Sequence, residues 1–413
     1  MKKTIILIPF LFSLFVFSCT TKAQQDVAPV AVEKEQTKKI YMHMMTWFWT
    51  DQDNIHPEKE LKGMPWFGHW TMDKMNPEII DPVTGQRQIA AHYYPLTGPY
   101  CSKDKNIIEY QLLLMKLAGV DGIIFNTSTT NPEWDFPALV EATDSIAKRT
   151  QQFGLDIAIM YESQHVRDAA RRGELHKDSM TTAKQDMIHY RRYFGKPNYI
   201  HVNGRPLLMD FGPQYFQTEA EWTEIFSVFG NNQPAFFALN YHGHYAGKNT
   251  YGEFAWIGAD HMAGLRHFYN YYKIDGEKMG VAYPGFHDFY KEGGWGEGYF
   301  FIPHRGDTTL VETLQLALAS DVDMIQLATW NDWGEGTMFE PSVEFGFKFL
   351  ATLQRELGVK NLTERDLELV FDLYQARVKF ADNAEVQQQL DRASALMAAL
   401  KTADARKIIE NLK

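Results

Sequence analysis

DMIQLATWNDWGEGTMFEPS, residues 323–342, joins a short apolar run to a turn crowded with Asn331, Asp332, Glu335 and Glu340, two tryptophans and two glycines. The apolar half, DMIQLA, is the length of a buried strand. The polar half places two carboxyls three residues apart between Trp330 and Trp333, beside glycines free to make a sharp turn. A buried strand that runs directly into chemistry belongs to the α/β folds whose strand ends carry the site.

Seven further runs have the same character: IYMHMM (40–45), VDGIIFN (120–126), LDIAIMY (155–161), RPLLMD (205–210), PAFFALN (234–240), EFAWIG (253–258) and GVAYPG (280–285). Strands this uniformly apolar are covered on both faces, as in parallel sheets clothed by helices. Helical stretches lie between several of them. In KNIIEYQLLLMKLAG (105–119), Ile108, Leu112 and Met115 share a face, Ser102 or Asp104 offers an N-cap, and Gly119 is a stop signal. TLVETLQLALAS (309–320) feeds the last strand. Eight such units over about 370 residues predict a (β/α)8 TIM barrel with long βα loops. A doubly wound open sheet is the other arrangement, but no glycine-rich phosphate loop follows the first strand. The expected division is a barrel over 39–360 and C-terminal helices over 361–413 that pack on it.

The N-terminus reads as an address. MKKTIILIPFLFSLFVFSC (1–19) has two lysines, then an apolar run short for a membrane span, then Ser18-Cys19. It resembles the bacterial lipoprotein processing site, with a plain signal peptide as the other reading. The expectation is lipidation at Cys19, a flexible tether over 20–38, and residence in the cell envelope on the outer membrane of a Gram-negative bacterium. Cys101 is then the one remaining thiol, which leaves no intramolecular disulfide. A net charge of −11 with interspersed lysines and arginines argues against nucleic acid as a partner. A monomer is expected.

In a barrel the strand ends gather at one rim. That rim would hold His43, Trp47, Asn126, Tyr161, Glu162, Asp210, His242, Trp256, Tyr283, Asp288, Asn331, Asp332 and Glu335. Rings to stack on sugar faces, with carboxyls and amides to bind hydroxyls, suit a carbohydrate pocket. Glycosidic cleavage needs one protonated carboxyl to give its proton to the leaving oxygen and one ionised carboxyl to serve the attack. Asp332 and Glu335 supply such a pair, with Trp330 and Trp333 expected to desolvate it and to offer stacking faces. The aromatic-glycine stretches HYYPLTGPY (92–100) and PGFHDFYKEGGWGEGYFF (284–301) are suited to shaping a cleft.

TWNDWGEGT (329–337) resembles the catalytic signature of glycoside hydrolase families 71 and 99, and of the broader 71/99-like group of exported Bacteroidota proteins. The resemblance implies a (β/α)8 barrel, no cofactor and no metal. Family 71 is similar in having Asp first and acts on α-1,3-glucan. Family 99 has Glu first, cleaves α-mannosidic linkages within chains, and carries a strand-end Glu that Glu162 of MYESQ matches. Carried over, Glu335 is the general acid and Asp332 its partner, a base acting on water or on the substrate's 2-hydroxyl. Asp332 is one methylene shorter than the family 99 Glu.

Two other classes stay open. His43, His92, His242, His244 and His287 would be available to a metal-dependent hydrolase or deacetylase, although no HExxH pattern occurs. A non-catalytic surface glycan-binding lipoprotein would use the tryptophans without needing both carboxyls.

Overall fold

The structure is a computed structural model that describes residues 27–50, 66 and 68–412. The expected signal peptide, with Cys19, lies outside the described residues. Eight parallel strands close into a barrel: β1 (Lys39–Met45), β2 (Gly122–Thr127), β3 (Asp156–Tyr161), β4 (Arg205–Asp210), β5 (Ala235–Leu239), β6 (Gly252–Phe254), β7 (Glu277–Ala282) and β8 (Met324–Leu327). Each pairs with its sequence neighbour, and β8 returns to β1 through the register Lys39↔Met324 to Met42↔Leu327. Each of the eight predicted runs overlaps a barrel strand, so the TIM barrel expected from the sequence is the observed fold.

The strands are apolar on both faces because both faces are buried. Tyr41, Ile124, Ala158, Met160, Leu207, Met209, Phe237, Phe254, Met279 and Met324 form one cluster inside the barrel. Alternate residues such as Ile40, Met42, Ile123, Ile157, Leu208 and Ile325 join the larger layer beneath the helices. Helix α1 (Lys105–Leu117) starts where Asp104 Oδ1 accepts from the backbone N–H groups of Asn106 and Ile107, at 2.7 and 2.9 Å. It ends before Gly119, whose φ of +89° a side chain would resist. Helices α2 (Phe136–Ala147) and α3 (Ser163–Arg172) follow β2 and β3. Helix α4 (Ser179–Tyr190) packs beside α3, and the helix Thr308–Ala319 precedes β8 as expected.

Helices Glu364–Lys379, Ala384–Ala398 and Thr402–Glu410 form the C-terminal unit. Arg377 reaches from it to Glu109 of α1 through two hydrogen bonds, at 2.8 and 2.9 Å, in a buried ion pair. The described part of the expected tether differs from a free linker. Lys34 Nζ bonds to Asp121 Oδ2 at 2.6 Å and to the Gly119 carbonyl at 2.9 Å, and Glu35 N–H donates to the Leu357 carbonyl. Val30 N–H donates to the Ala398 carbonyl, and Lys116 Nζ to that of Val30. Residues 30–38 therefore strap the face of the barrel opposite the strand C-termini. Among the described residues, no helix is long and apolar enough to cross a membrane.

Candidate active site

Side chains alternate along a strand, so stepping two residues onward from the interior cluster stays on the inner face. From Tyr41, Ile124, Met160, Met209, Phe254 and Met324 that step reaches His43, Asn126, Glu162, Phe211, Trp256 and Gln326. The first five line a cleft of ≈ 610 Å³ at the C-terminal mouth, together with Asp332 and Glu335. The floor is hydrogen-bonded throughout. His43 Nδ1 meets Gln326 Oε1 and its Nε2 meets Asn126 Oδ1, both at 3.3 Å. Asn126 Nδ2 donates to Glu162 Oε1 at 2.7 Å. Burial lowers His43 to about 4 and His69 to about 3, so both imidazoles stay neutral. Trp47 lies flat on His69, with ring centroids 3.8 Å apart.

The stretch after β8 is a closed loop. Thr329 and Thr337 share a backbone bond of 3.0 Å and a hydroxyl contact of 2.9 Å across its neck. Asp332 N–H donates to Thr329 Oγ1, and Asp332 Oδ1 accepts in turn from Glu335 N–H at 3.1 Å. That Asx-type turn brings two carboxyls three residues apart to the same cleft. Gly336 has φ +64°, and a Cβ there would meet the His287 carbonyl at 2.8 Å. Gly334 is different: it keeps an ordinary φ, and what it spares is Met72 Cε, 3.0 Å from where a Cβ would stand.

Asp332 is buried and Glu335 is half-exposed to the cleft. Burial pushes Asp332 up to about 7, and Glu162 adds to the rise. Glu335 is held well above the usual carboxylate range, first by burial and then by the Asp332 charge. No lysine or arginine stands among the causes of either shift. Tyr290 OH donates to Glu335 Oε1 at 2.9 Å. Two close carboxyls cannot both ionise cheaply, the condition under which one can serve as an acid and the other as a base.

Of the residues expected at the rim, His43, Trp47, Asn126, Glu162, Trp256, Asp332 and Glu335 line the cleft. The others do structural work. Trp330 and Trp333 are fully buried, so neither offers a stacking face. Asn331 is tied to β1, with Oδ1 accepting from Met45 N–H and Nδ2 donating to the Met45 carbonyl, at 2.9 and 3.1 Å. Tyr161 and Asp210 fall on the outer parity of their strands. Tyr161 OH donates to Asp186 Oδ2 at 2.6 Å, while Asp210 accepts from the Ser163 N–H and Oγ at 3.0 and 3.1 Å at the start of α3. Tyr283 is buried with its hydroxyl on His261 Nδ1 at 2.8 Å. His242 sits in the loop after β5, away from the cleft lining, and Asp288 organises its own loop by accepting from Tyr290 and Tyr299 N–H. Among the described residues no three His, Cys, Asp or Glu side chains are grouped to hold a metal ion.

The reading by residue missed Tyr290, Trp295 and Tyr299, which rise from within the 284–301 stretch to the cleft wall. It also missed Gln164, His165, Arg167 and Asp168 at the start of α3. His165, three residues after Glu162 and 3.7 Å from its Oε2, could have been found by its helical spacing. His69, Trp134 and Gln214 come from long loops without a periodic signal.

No family model matches the chain, and no curated protein sequence does. Among solved structures, the fold is similar to that of the GH99 endo-α-mannosidase from Bacteroides thetaiotaomicron in complex with bis-tris-propane. The TM-score is 0.55 and the identity 16%, over 77% of this chain and 95% of that one. A second structure of the B. thetaiotaomicron GH99 endo-α-mannosidase gives 0.53 and 18%, over 76% and 95%. A glycoside hydrolase-like protein gives 0.53 and 11%, over 80% and 97%. At these identities the likeness is one of fold: this chain has the TIM barrel of the glycoside hydrolases that its loop after β8 resembles.

Proposed function

We propose that the chain is a glycoside hydrolase acting on α-linked poly- or oligosaccharide of glucan or mannan type, with Glu335 as general acid and Asp332 as partner carboxylate. The observation that carries this is the pair itself: two carboxyls from one turn, both raised by burial, Glu335 further by the Asp332 charge, and both open to one cleft. Glu335 keeps its proton and passes it to the glycosidic oxygen as the bond from the anomeric carbon breaks. Asp332, ionised, takes a proton either from an attacking water or from the substrate's 2-hydroxyl; water supplies the new hydroxyl at the anomeric carbon in both cases. The floor of His43, Asn126 and Glu162 offers donors and acceptors for sugar hydroxyls, and Trp47 and Trp256 offer apolar faces. The GH99 endo-α-mannosidase of the same fold supports the choice of α-linked substrates.

The test is release of reducing ends from α-1,3-glucan, α-mannan and mannose-rich glycans by wild type and by Glu335→Gln. The amide keeps the shape and loses the proton, so turnover should fall by about 10²–10⁴-fold while binding persists. Ordinary turnover in that variant would remove Glu335 from the chemistry; binding without cleavage by wild type would leave a glycan-binding protein.

From the sequence we further infer export and lipid attachment at Cys19, with the enzyme held at the outer membrane. Metabolic labelling with a palmitate analogue should mark wild type and not Cys19→Ala.

A further inference from the structure

The segment that carries Tyr290 is bound to the catalytic loop along its backbone. His287 N–H donates to the Glu335 carbonyl and Phe289 N–H to that of Gly334, both at 2.8 Å. Asp288 then staples the segment into a compact loop, with Oδ1 accepting from Tyr290 N–H at 3.2 Å and Oδ2 from Tyr299 N–H at 2.9 Å. The result places three rings together: Tyr290 to Trp295 at 6.4 Å with planes 21° apart, and Tyr290 to Tyr299 at 5.7 Å edge-on. Trp295 Nε1 donates to Asp73 Oδ1 at 3.1 Å, which fixes the indole's edge. Yet Trp295 is 42% exposed and Tyr299 74% exposed, both in the wall of the cleft. Aromatic surface held rigid and left in water beside a carboxyl is the composition of a sugar-stacking platform.

Its position decides which sugar. The polar floor of His43, Asn126, Glu162 and Asp332 is deep, and suits the ring whose anomeric carbon reacts. The platform stands at the rim and bonds to the carboxyl pair through Tyr290 on Glu335. We propose that segment 287–299 is a leaving-group platform. Trp295 and Tyr299 receive the sugar on the departing side of the cleaved bond, and Tyr290 is the positioning residue that turns the acid's free oxygen toward the leaving oxygen. This rests on Glu335 being the acid. One loop thus couples recognition of the leaving sugar to delivery of its proton, because both functions hang from Asp288 and from the backbone of Glu335.

The experiment compares two substrates in wild type, Glu335→Gln, Tyr290→Phe, Trp295→Ala, Trp295→Phe and Tyr299→Ala. One is whichever glycan of the panel wild type cleaves; the other is the matching α-glycosyl fluoride, whose leaving group needs neither a proton nor a sugar subsite. Trp295→Ala and Tyr299→Ala should each raise KM for the glycan about tenfold, the loss of one stacking contact. Neither should change fluoride turnover, and Trp295→Phe should recover most of the loss. Tyr290→Phe should lower kcat on the glycan about tenfold, as a displaced catalytic group does. It should also move the alkaline limb to higher pH, because the lost hydrogen bond favoured the ionised acid. Equal losses on both substrates, or a Tyr290→Phe profile that does not move, overturn the platform. Fluoride hydrolysis lost in Glu335→Gln, or no glycan cleaved by wild type, overturns the acid assignment beneath it instead.

Discussion

Asp332 and Glu335 in the cleft invite comparison with Asp186, Asp210 and Glu340 in the walls around it. All five are held above the usual carboxylate range, and burial is the first cause in each. What separates them is company. Asp186 accepts three bonds of 2.6 Å, from the Thr130 N–H and hydroxyl and the Tyr161 hydroxyl. Glu340 accepts from Tyr100 OH at 2.6 Å, Gln111 Nε2 at 3.1 Å and Trp333 Nε1 at 3.3 Å. Asp210 is closed off by Ser163. The wall acids spend their oxygens on the fold, whereas Glu335 has, among the described residues, a single side-chain donor, Tyr290, and an open face to the cleft. A raised pKa therefore marks burial, and access marks chemistry.

The largest effect that could break this comparison is on turnover. Asp332→Asn should lower kcat by about 10²–10⁴-fold with little change in melting temperature, since the amide oxygen still accepts from Glu335 N–H. As the proposed base Asp332 has to be ionised, so activity should fall as pH drops through about 7. An acidic limb near the ordinary aspartate range would show that Asp332 is not the base. Glu162→Gln sharpens the same point with a smaller loss, about tenfold in kcat/KM. Its charge raises both carboxyls, so removing it should move the acidic limb to lower pH. A Glu162→Gln profile superposable on wild type would reduce Glu162 to a floor residue.

The barrel was legible because each strand is a continuous apolar run, a pattern set by burial on both faces. The turn that carries Asp332 and Glu335 was legible because the two carboxyls and the tryptophans are local in sequence. Parity was the part misread. Glu162 and Asn126 face inward, but Tyr161, one residue earlier, and Asp210 face the helices; the interior cluster two residues below each strand end would have told them apart. Trp330 and Trp333 looked like platforms, yet a loop that turns this tightly needs large side chains beneath it. The exposed platforms, Trp295 and Tyr299, come from a glycine-rich loop whose path depends on bonds to Glu335 and Asp73, contacts that no local pattern encodes.

The wall acids should answer to stability where the cleft acids answer to turnover. Glu340→Gln turns one acceptor into a donor that faces either Gln111 Nε2 or the Tyr100 OH and Trp333 Nε1 pair, which leaves a buried polar group without a partner. That costs about 1–3 kcal/mol. A drop of several degrees in melting temperature is expected, with the limbs of the pH–rate profile where wild type has them. A shifted limb without a loss of stability would place Glu340 among the catalytic carboxyls.

Asp210→Asn is the most delicate of these tests, because it reads a slope. Asp210 is held up to about 8 in the folded chain against 3.8 as its ordinary value. The folded state therefore keeps a proton that the unfolded state releases. This group's contribution is fully present below 3.8 and is lost as pH rises toward about 8, since stability falls wherever the folded state binds more protons. Asp186, Glu340 and Asp332 carry the same sign, with values of about 6, 7 and 7. Wild type should melt at higher temperature near pH 5 than near pH 8. Asparagine titrates in neither state, and its Oδ1 still accepts from Ser163 N–H. The variant should melt slightly below wild type at the acid end and close that gap, or reverse it, by pH 8. Parallel melting curves across the range would mean that Asp210 ionises as freely in the fold as outside it, and that burial does not hold its proton.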